Sequence, residues 1–456
     1  MSAGAIASDN TRSTRGEAIT RALDADFTWR SRSLPPLLLG TLLLFDSWDV
    51  GLISYVAPVL AKEWHLGSLF LGTVLSAGYA GQFFGALLCG ALAERWGRVP
   101  VLYLAIIIMS VLSVACAFLR SAETMIAIRF VQGIAIGGAL PVAASYINEI
   151  APSQQRGRYF SVFQSLTMSG YVWAALFSVL IIPHLGWRWM FIVGGLPILG
   201  LPFVWAKLPE SPRWLARKGR FGDVDRALAK LGARSLPSFA GAESAYDERA
   251  PAKPSISALF QPEIRGQTIT VMALWFLVSF VSFGLVTWVP TLLTTVFKMP
   301  LRDALAVGAV NSVLFLIAAP LAALVLDRFG RRPPAIVAAL LSVVALVTLA
   351  FLNAQQLALV IAMLILGKLS SAVGSVILWP FSAEVFPTRI RALGLGVASS
   401  LGRAASMMTP IVVGAILSFQ KSPVAVFLVF AGCGVGVSLL WWLAAAETAG
   451  RPLREE

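Results

Sequence analysis

The chain has 456 residues, of which 57% are hydrophobic and only 13% charged, and its formal net charge is +13. A soluble domain carries about 25% charged residues, so this composition excludes an ordinary soluble protein and indicates a chain solvated by lipid. The basic excess does not indicate nucleic-acid binding, because the Lys and Arg residues fall in short bursts between long apolar runs.

Residues that could hold a metal or perform covalent chemistry are sparse in this sequence. Cys89, Cys116 and Cys433 stand alone inside apolar segments, without a Cys-x-x-Cys or Cys/His pattern. We therefore expect no disulfide framework, no metal site and no cofactor. The sequence also lacks a Ser/His/Asp set and a phosphate-binding loop, so we do not expect an enzyme.

Twelve runs of residues are long and apolar enough to cross a bilayer, which takes about 20 residues of helix. They cover residues 34–60, 68–93, 99–119, 122–148, 158–182, 187–206, 266–296, 303–326, 334–353, 355–380, 392–418 and 423–446. The sequence thus predicts an all-α membrane protein with twelve transmembrane helices in two pseudo-symmetric six-helix bundles. The predicted domains are an N-terminal tail (1–33), the first bundle (34–206), a central loop (207–265), the second bundle (266–446) and a C-terminal tail (447–456).

The basic residues predict the orientation of the chain. Most Lys and Arg residues outside the spans lie in the two tails, in the central loop and in the loops from even-numbered to odd-numbered spans. Because cytoplasmic loops carry the excess of Lys and Arg, both termini are predicted to be cytoplasmic, in the plasma membrane of a bacterium. The first 33 residues lack the short apolar core of a signal peptide.

Two carboxylates lie in the middle of the first span. Asp46 and Asp49 are three residues apart, which places them on one helix face about one turn from each other. An ionisable residue at membrane depth is costly and therefore indicates function. One of two neighbouring buried carboxylates is expected to hold a proton near neutral pH, as proton coupling requires. The alternative is that both are ion-paired to neighbouring helices for structure.

Three cations also lie at membrane depth: Arg129 in the fourth span, Lys368 in the tenth and Arg403 in the eleventh. A cation in a helix bundle needs an anion, and the planar fork of Arg403 fits a substrate carboxylate. Pairing of Arg403 with Asp46 or Asp49 is the alternative. For Lys368 the alternatives to substrate binding are an acidic partner on another helix and snorkelling of its long stem. Arg129 is expected to pair with one of the two Asp residues.

Other polar and aromatic residues could contact a substrate ring that has a polar edge. The candidates are Gln164 and Tyr171 in the fifth span, Trp275 in the seventh and Asn311 in the eighth. Ordinary helix packing is the alternative for each of them. Trp288 and Trp379 lie near span ends and are interpreted as interfacial anchors.

Two motifs occur in both halves of the chain at nearly the same separation. Glu94-Arg95-Trp96-Gly97-Arg98-Val99-Pro100 matches Asp327-Arg328-Phe329-Gly330-Arg331-Arg332-Pro333, and Glu149-x-x-Pro152-x-x-x-Arg156 matches Glu384-x-x-Pro387-x-x-x-Arg391. Duplicated halves around a midplane site are a common plan of transporters. We expect the carboxylates and guanidinium groups of these motifs to form salt bridges between helices, which hold one gate shut and break on rocking. Anchoring by positive charge alone would explain the Arg residues but not the four carboxylates.

Three segments resemble signatures of the major facilitator superfamily. The segment from Gly90 to Arg98 resembles the loop between helices 2 and 3, with Glu94 in the place of the usual Asp. Arg129-x-x-Gln132-Gly133-x-x-x-Gly137-Gly138 resembles the helix 4 motif. Pro209-Glu210-Ser211-Pro212-Arg213-Trp214 resembles the motif that closes helix 6 in the sugar-porter-like branch. The resemblance covers nearly the whole chain.

The first span points to one branch of that superfamily. Asp46-Ser47-Trp48-Asp49 resembles the Asp-Gly-x-Asp motif of aromatic acid:proton symporters, with Ser47 in the place of Gly. The end of the seventh span, from Trp288 to Leu293, is similar to that group as well. The resemblance implies a twelve-helix carrier in which Arg129 takes part in proton coupling.

These observations together predict proton-coupled uptake of a small organic anion, such as an aromatic or pyridine carboxylate, by alternating access. The predicted partners are the small-molecule substrate and membrane lipids, with the proton as coupling ion, no nucleic acid and a monomeric carrier. The alternatives are a proton-driven exporter of organic cations or drugs, a sugar or sugar-acid:proton symporter, and a non-transporting nutrient sensor. The seventh span lacks the paired Gln pattern of sugar porters, and the C-terminal tail is short for a signalling protein.

Overall fold

The computed structural model describes residues 15–25, 29, 33–233, 255–387, 389–420 and 422–448, without the side chains of residues 15–18, 315, 319 and 327. Much of both predicted tails and the middle of the central loop therefore lie outside the described residues. Twelve helices of the described part are long and apolar enough to cross a membrane. They are α1 (Leu34–Glu63), α2 (Ser68–Trp96), α3 (Arg98–Cys116), α4 (Ala122–Ile150), α5 (Arg156–Leu185), α6 (Arg188–Lys207), α7 (Arg265–Thr295), α8 (Leu301–Phe329), α9 (Arg332–Phe351), α10 (Leu357–Val385), α11 (Arg391–Gln420) and α12 (Pro423–Ala444).

Two of these helices are irregular. The helix α6 consists of Arg188–Gly194, a 3-10 segment Leu196–Gly200 and Leu201–Lys207. Pro197 and Pro202 lie in the first turns of the second and third pieces, where the missing N–H costs no hydrogen bond. The helix α12 ends in a π-helical segment, Leu440–Ala444. The remaining helices are continuous, although several contain an internal Pro.

The helix packing repeats from one half to the other. In the first half α1 packs on α5, α2 on α4, and α3 on α4 and α6. The same pairs recur six helices later, as α7 with α11, α8 with α10, and α9 with α10 and α12. The contacts between the halves show the same symmetry. The helix α2 packs on α11, and the equivalent helices of the other half, α8 and α5, pack on each other. The predicted pair of pseudo-symmetric six-helix bundles is thus confirmed.

Glycines allow the closest helix pairs to form. A Cβ atom added at Gly81 would collide with the backbone of Phe130, and one at Gly133 would collide with Gly78. Small residues at such crossings let helices approach without a hydrophobic driving force, which lipid does not supply. The pair α2–α4 is therefore a tightly packed unit inside the first half.

The bundle has two faces, one at each end of its helices. The terminal face carries the beginning of α1, the end of α12 and the central loop, and the distal face lies opposite. Hydrogen bonds join the halves near the distal face: Leu69 N donates to Ser418 Oγ at 3.0 Å, and the Tyr55 hydroxyl lies 2.8 Å from Ser312 Oγ. Gly72 and Pro410 are also in close backbone contact there. The halves are thus held together on the distal side.

A small helical cluster covers the terminal face of the first half. The helix Arg15–Asp24 buries Ile19 and Leu23 against two helices of the central loop, Pro212–Arg217 and Phe221–Lys230. The Asp24 carboxylate accepts hydrogen bonds from the backbone N–H and the hydroxyl of Ser153, both at 2.6 Å. The cluster therefore clamps the turn between α4 and α5.

Replacing Leu23 by Asp is expected to detach the helix Arg15–Asp24, because the side chain is 1% exposed and burying a carboxylate there is costly. The local cost is a few kcal/mol, which a helix of ten residues does not withstand. Hydrogen–deuterium exchange of residues 15–25 measures the effect. The exposed neighbour Arg21, changed to Ser, serves as the control and should keep its protection. Equal protection in both variants would contradict the packing described.

Candidate transport site

A buried ion pair joins two helices in the first half. Arg129 Nη1 donates to both carboxylate oxygens of Asp49, at 2.6 and 2.5 Å, and each residue is 2% exposed. Gln132 Nε2 donates to Asp49 Oδ1 at 3.0 Å and to the Met109 carbonyl at 3.2 Å. The cluster ties α1, α3 and α4 together. Of the two partners predicted for Arg129, the structure selects Asp49.

Asp46 has a different environment one turn nearer the terminal face. It is 7% exposed, and its Oδ1 atom has no hydrogen-bond partner among the described residues. Its charge interacts with those of Asp49 in its own helix and Arg403 in α11. Asp46 therefore sits between the fixed ion pair of one half and a cation of the other.

Arg403 reaches across the interface between the halves. Its Nη1 donates to the Gly137 carbonyl of α4 at 3.3 Å. The neighbouring Gly402 packs against Trp275 and Ser279 of α7. The hydroxyl of Ser406, one turn further along α11, donates to the Gly402 carbonyl of its own helix at 2.9 Å. The acidic group that interacts with Arg403 is Asp46.

The other predicted ring contacts are divided between the two halves. Tyr171 lies beside Gly51 of α1 and near Asp46, and Gln164 is half-buried two turns away on the same helix. Asn311 and Lys368 line a small cavity together with Tyr55. The structure therefore groups Tyr171 with the central carboxylates, and Asn311 with Lys368 at a second place.

The Trp residues show a mixture of packing roles. Trp275 Nε1 donates to Ser382 Oγ at 3.0 Å, and its ring meets that of Trp379 edge to face at 4.7 Å. Trp379 is 56% exposed, as an interfacial anchor would be. The interpretation of Trp288 as an anchor is wrong, because its side chain is 1% exposed and packs in the core. Position near a span end does not reveal which way a helix face turns.

The repeated motifs form one ion-pair cluster in each half at the terminal face. Arg98 Nη2 lies 2.7 Å from Glu94 and 3.0 Å from Glu149, and Arg331 Nη2 lies 2.7 Å from Glu384. These bridges join helices within one half and do not join the two halves. The first cluster links the ends of α2, α3 and α4, and the second links the start of α9 to the end of α10. Gly97 and Gly330 have φ of 109° and 79°, which suits Gly in the tight turn before each Arg.

The other motif residues have different surroundings among the described residues. Arg95 and Arg156 are exposed, and Gly90 has open space around its Cα. Arg328 lies over the Phe329 ring, and Arg391 donates to the Phe386 carbonyl at 3.4 Å. The Asp327 side chain lies outside the described part of the chain.

Two carboxylates that the sequence reasoning missed complete the clusters. Glu210 accepts the backbone N–H groups of Arg98 and Val99 at 3.0 and 3.1 Å, at the start of α3. Glu447 accepts those of Arg331 and Arg332, both at 3.0 Å, at the start of α9. Each carboxylate thus caps a helix N-terminus, where the dipole favours negative charge.

The capping carboxylates have a signal in the sequence. Pro209-Glu210-Ser211 and Ala446-Glu447-Thr448 follow the sixth helix of their halves, so an acidic residue before a hydroxyl residue repeats like the other motifs. Burial raises the pKa of Glu210, and the backbone donors of Ser211, Arg98 and Val99 act in the opposite direction.

Replacing Arg129 by Gln is expected to lower the free energy of unfolding of the first half by about 3–5 kcal/mol, because Asp49 is left as an uncompensated buried charge. The double change Arg129→Gln with Asp49→Asn should cost less than Arg129→Gln alone. Thermal unfolding of the purified protein measures both. The control is Arg188→Gln, which removes a surface pair with Glu63 worth about 0–1 kcal/mol. A double variant that is as unstable as the single one would contradict the pairing.

Comparison with known proteins places this architecture in a family. The family model described as "Sugar (and other) transporter" matches residues 39–456. The niacin transporter NiaP of Acinetobacter baylyi is 29% identical over 91% of this chain and 94% of its own length. The gallate transporter of Pseudomonas putida is 32% identical over 84% of this chain and 85% of its own.

Solved structures show the same fold. The inward-open structure of the xylose transporter XylE from E. coli superimposes with a TM-score of 0.70 at 21% identity, covering 92% of this chain and 97% of that one. The predicted membership of the major facilitator superfamily is confirmed, and the matched family and relatives are transporters rather than enzymes. The chain is an integral membrane protein that belongs to the sugar (and other) transporter family.

Proposed function

We propose that the protein carries a small aromatic or pyridine carboxylate into the cell together with a proton. The observation that carries this proposal is the placement of Asp46 at the interface of the halves, with one oxygen lacking a hydrogen bond and with Arg403 of the opposite half as its cation. The similar proteins named for niacin and gallate support the substrate class, since both compounds are ring carboxylates.

Coupling arises if Asp46 and the substrate compete for Arg403. A guanidinium removed from water needs a counter-anion, and the ionised Asp46 supplies one in the empty carrier. Protonation of Asp46 leaves Arg403 without that anion, and the substrate carboxylate then replaces it with a bidentate pair. Release of the substrate and the proton restores the first arrangement. One proton therefore accompanies each carboxylate.

In this cycle the ion pair between Asp49 and Arg129 stays intact. All six hydrogen bonds described for the cluster lie inside the first half, so rocking of the halves does not need to break them. The cluster holds α1 at a constant distance from α4 and places Asp46 against the second half. We therefore assign proton exchange to Asp46 and positioning to Asp49 and Arg129.

The orientation of the carrier follows from its surface charge, and its oligomeric state follows from the position of the substrate site. Arg side chains such as Arg95, Arg156, Arg217 and Arg328 crowd the terminal face, so we assign this face to the cytoplasm, and with it both termini, in a bacterial inner membrane. The substrate site lies between two halves of one chain, so a monomer suffices for transport. The proton is the only coupling ion that the proposal needs.

Replacing Asp46 by Asn is expected to abolish accumulation against a gradient, because the side chain no longer exchanges a proton. Exchange of labelled for unlabelled acid should persist, since Arg403 is still present. Liposomes with an imposed pH gradient measure both activities with nicotinate and 4-hydroxybenzoate. Glu63→Gln, a change in the surface pair with Arg188, is the matched carboxylate control. Full accumulation by Asp46→Asn would refute the coupling role.

Replacing Arg403 by Lys is expected to weaken binding of the acid about tenfold, because an ammonium keeps the charge but lacks the bidentate fork. Arg403→Gln should bind more weakly still. Competition against a labelled acid in exchange assays measures the affinities, with the exposed Arg302→Gln as the control. Unchanged affinity in both Arg403 variants, or preferred transport of an organic cation, would count against the anion site.

A further inference from the structure

A small cavity lies on the distal side of the proposed site, where both halves meet. Its volume is about 30 Å³. It is lined by α1, α7, α8 and α10, with the polar side chains Tyr55, Asn311, Ser312 and Lys368 and with the apolar residues Leu285, Val286, Val289 and Leu364. This space holds one water-sized group but no aromatic ring.

Asn311 presents an unsatisfied acceptor at this cavity. The residue is 7% exposed, and its Oδ1 atom has no hydrogen-bond partner among the described residues. A buried carbonyl oxygen without a donor is costly, so a group that enters the cavity and donates a hydrogen bond is favoured. Lys368 lines the same cavity, and beside an amino group that donates hydrogen bonds the Asn311 amide is more stable with its oxygen toward the cavity than with its NH₂ group there.

The other three polar side chains of the cavity, Lys368, Tyr55 and Ser312, supply donors and rigidity. Lys368 is 9% exposed, and its Nζ donates to the Ser282 carbonyl of α7 at 3.4 Å. The Tyr55 hydroxyl is held by Ser312 Oγ at 2.8 Å and by the Gly308 carbonyl at 3.3 Å. A cationic donor and a neutral acceptor therefore lie at one cavity, on helices that contacts across the halves hold in place.

We propose that this cavity receives the ring hydroxyl of a hydroxylated aromatic carboxylate. The hydroxyl hydrogen is donated to Asn311 Oδ1, and the hydroxyl oxygen accepts from the Lys368 ammonium. A hydroxyl group is the smallest substituent that both donates and accepts. A pyridine nitrogen only accepts, and an unsubstituted ring does neither, so both leave Asn311 unsatisfied. The assignment rests on the proposed function, in which Arg403 holds the carboxylate.

The two anchoring points are connected through α7. Gly402, next to Arg403, packs against Ser279, while Lys368 contacts the carbonyl of Ser282. These α7 residues are three apart, or about 4.5 Å along the helix, so the backbone beside Arg403 and the amino group of Lys368 contact neighbouring turns of the same helix. The carboxylate and the hydroxyl of one ring thus face two fixed sites, and their separation on the ring becomes a criterion for transport.

The experiment compares four probes in competition with labelled 4-hydroxybenzoate, using the full-length protein in liposomes: benzoate, 3-hydroxybenzoate, 4-hydroxybenzoate and nicotinate. A site built to bond a substrate hydroxyl rejects the analogue that lacks it. We expect at least one hydroxybenzoate to compete at about tenfold lower concentration than benzoate and nicotinate. In Asn311→Leu that ratio should fall to about twofold or less.

Two further variants keep the test decisive. Lys368→Met removes the donor and should also reduce the ratio, which provides a second measurement if Asn311→Leu does not fold. Thr348→Val is the control, because it makes a polar side chain apolar in α9, where the hydroxyl donates to the Val344 carbonyl of its own helix. It should keep the wild-type ratio.

The outcomes separate this inference from the proposed function. If the wild-type protein does not distinguish the hydroxybenzoates from benzoate, or if Asn311→Leu leaves the ratio unchanged, the cavity does not bind the hydroxyl. Competition by benzoate itself would still support the anion site at Arg403. If none of the four acids competes, the proposed function fails, and this inference fails with it.

Discussion

The ion pair between Asp49 and Arg129 is the interaction on which the centre of this molecule depends. In lipid a charge is tolerated only where a partner and hydrogen bonds satisfy it, and here Gln132 supplies the remaining donor. The pair joins α1 to α4, and through the Met109 carbonyl it includes α3. The position of Asp46 at the interface follows from this fixed arrangement of the first half.

At the terminal face both halves have the same combination of an Arg–Glu bridge and a carboxylate cap. In each half one Arg at the start of the third helix bonds a Glu of the fourth, and a carboxylate after the sixth helix caps the same N-terminus. These contacts lie inside a half, and the interface between the halves is built from other contacts, such as those of Arg403 with Gly137 and Asp46. The predicted bridges between helices are present, but those described lie within a half, so the proposed rocking would leave them intact, in contrast to our expectation of bridges that lock a gate.

Much of the architecture could be predicted from the sequence because lipid imposes strict rules. The length of apolar runs sets the number of helices, and repeated motifs such as those around Arg98 and Arg331 reveal the duplicated halves. What could not be predicted depends on rotation about helix axes. The burial of Trp288 and the choice of Asp49 rather than Asp46 as the partner of Arg129 both depend on which face of a helix meets its neighbour. The apolar residues of these spans show no clear helical period, so the hydropathy does not indicate which face of a helix is buried.

The capping carboxylates escaped prediction for another reason. A Glu just outside a span looks like any solvated residue, and only the fold shows that Glu210 lies at the start of α3 and Glu447 at the start of α9. Asn311 was assigned to a substrate ring by residue type alone. Its unsatisfied oxygen, which distinguishes it from a packing residue, is visible only in three dimensions.

The duplicated caps have a consequence for the origin of the molecule. Each set of six helices carries its own cap and its own Arg–Glu bridge, and among the described residues these contacts come from the same set. An ancestor with six helices would already have been self-sufficient at that face, and doubling its gene would have required no new stabilising contact there. Divergence could then act on the interior, where the first half now holds two carboxylates beside Arg129 and the second half holds Arg403 and Lys368.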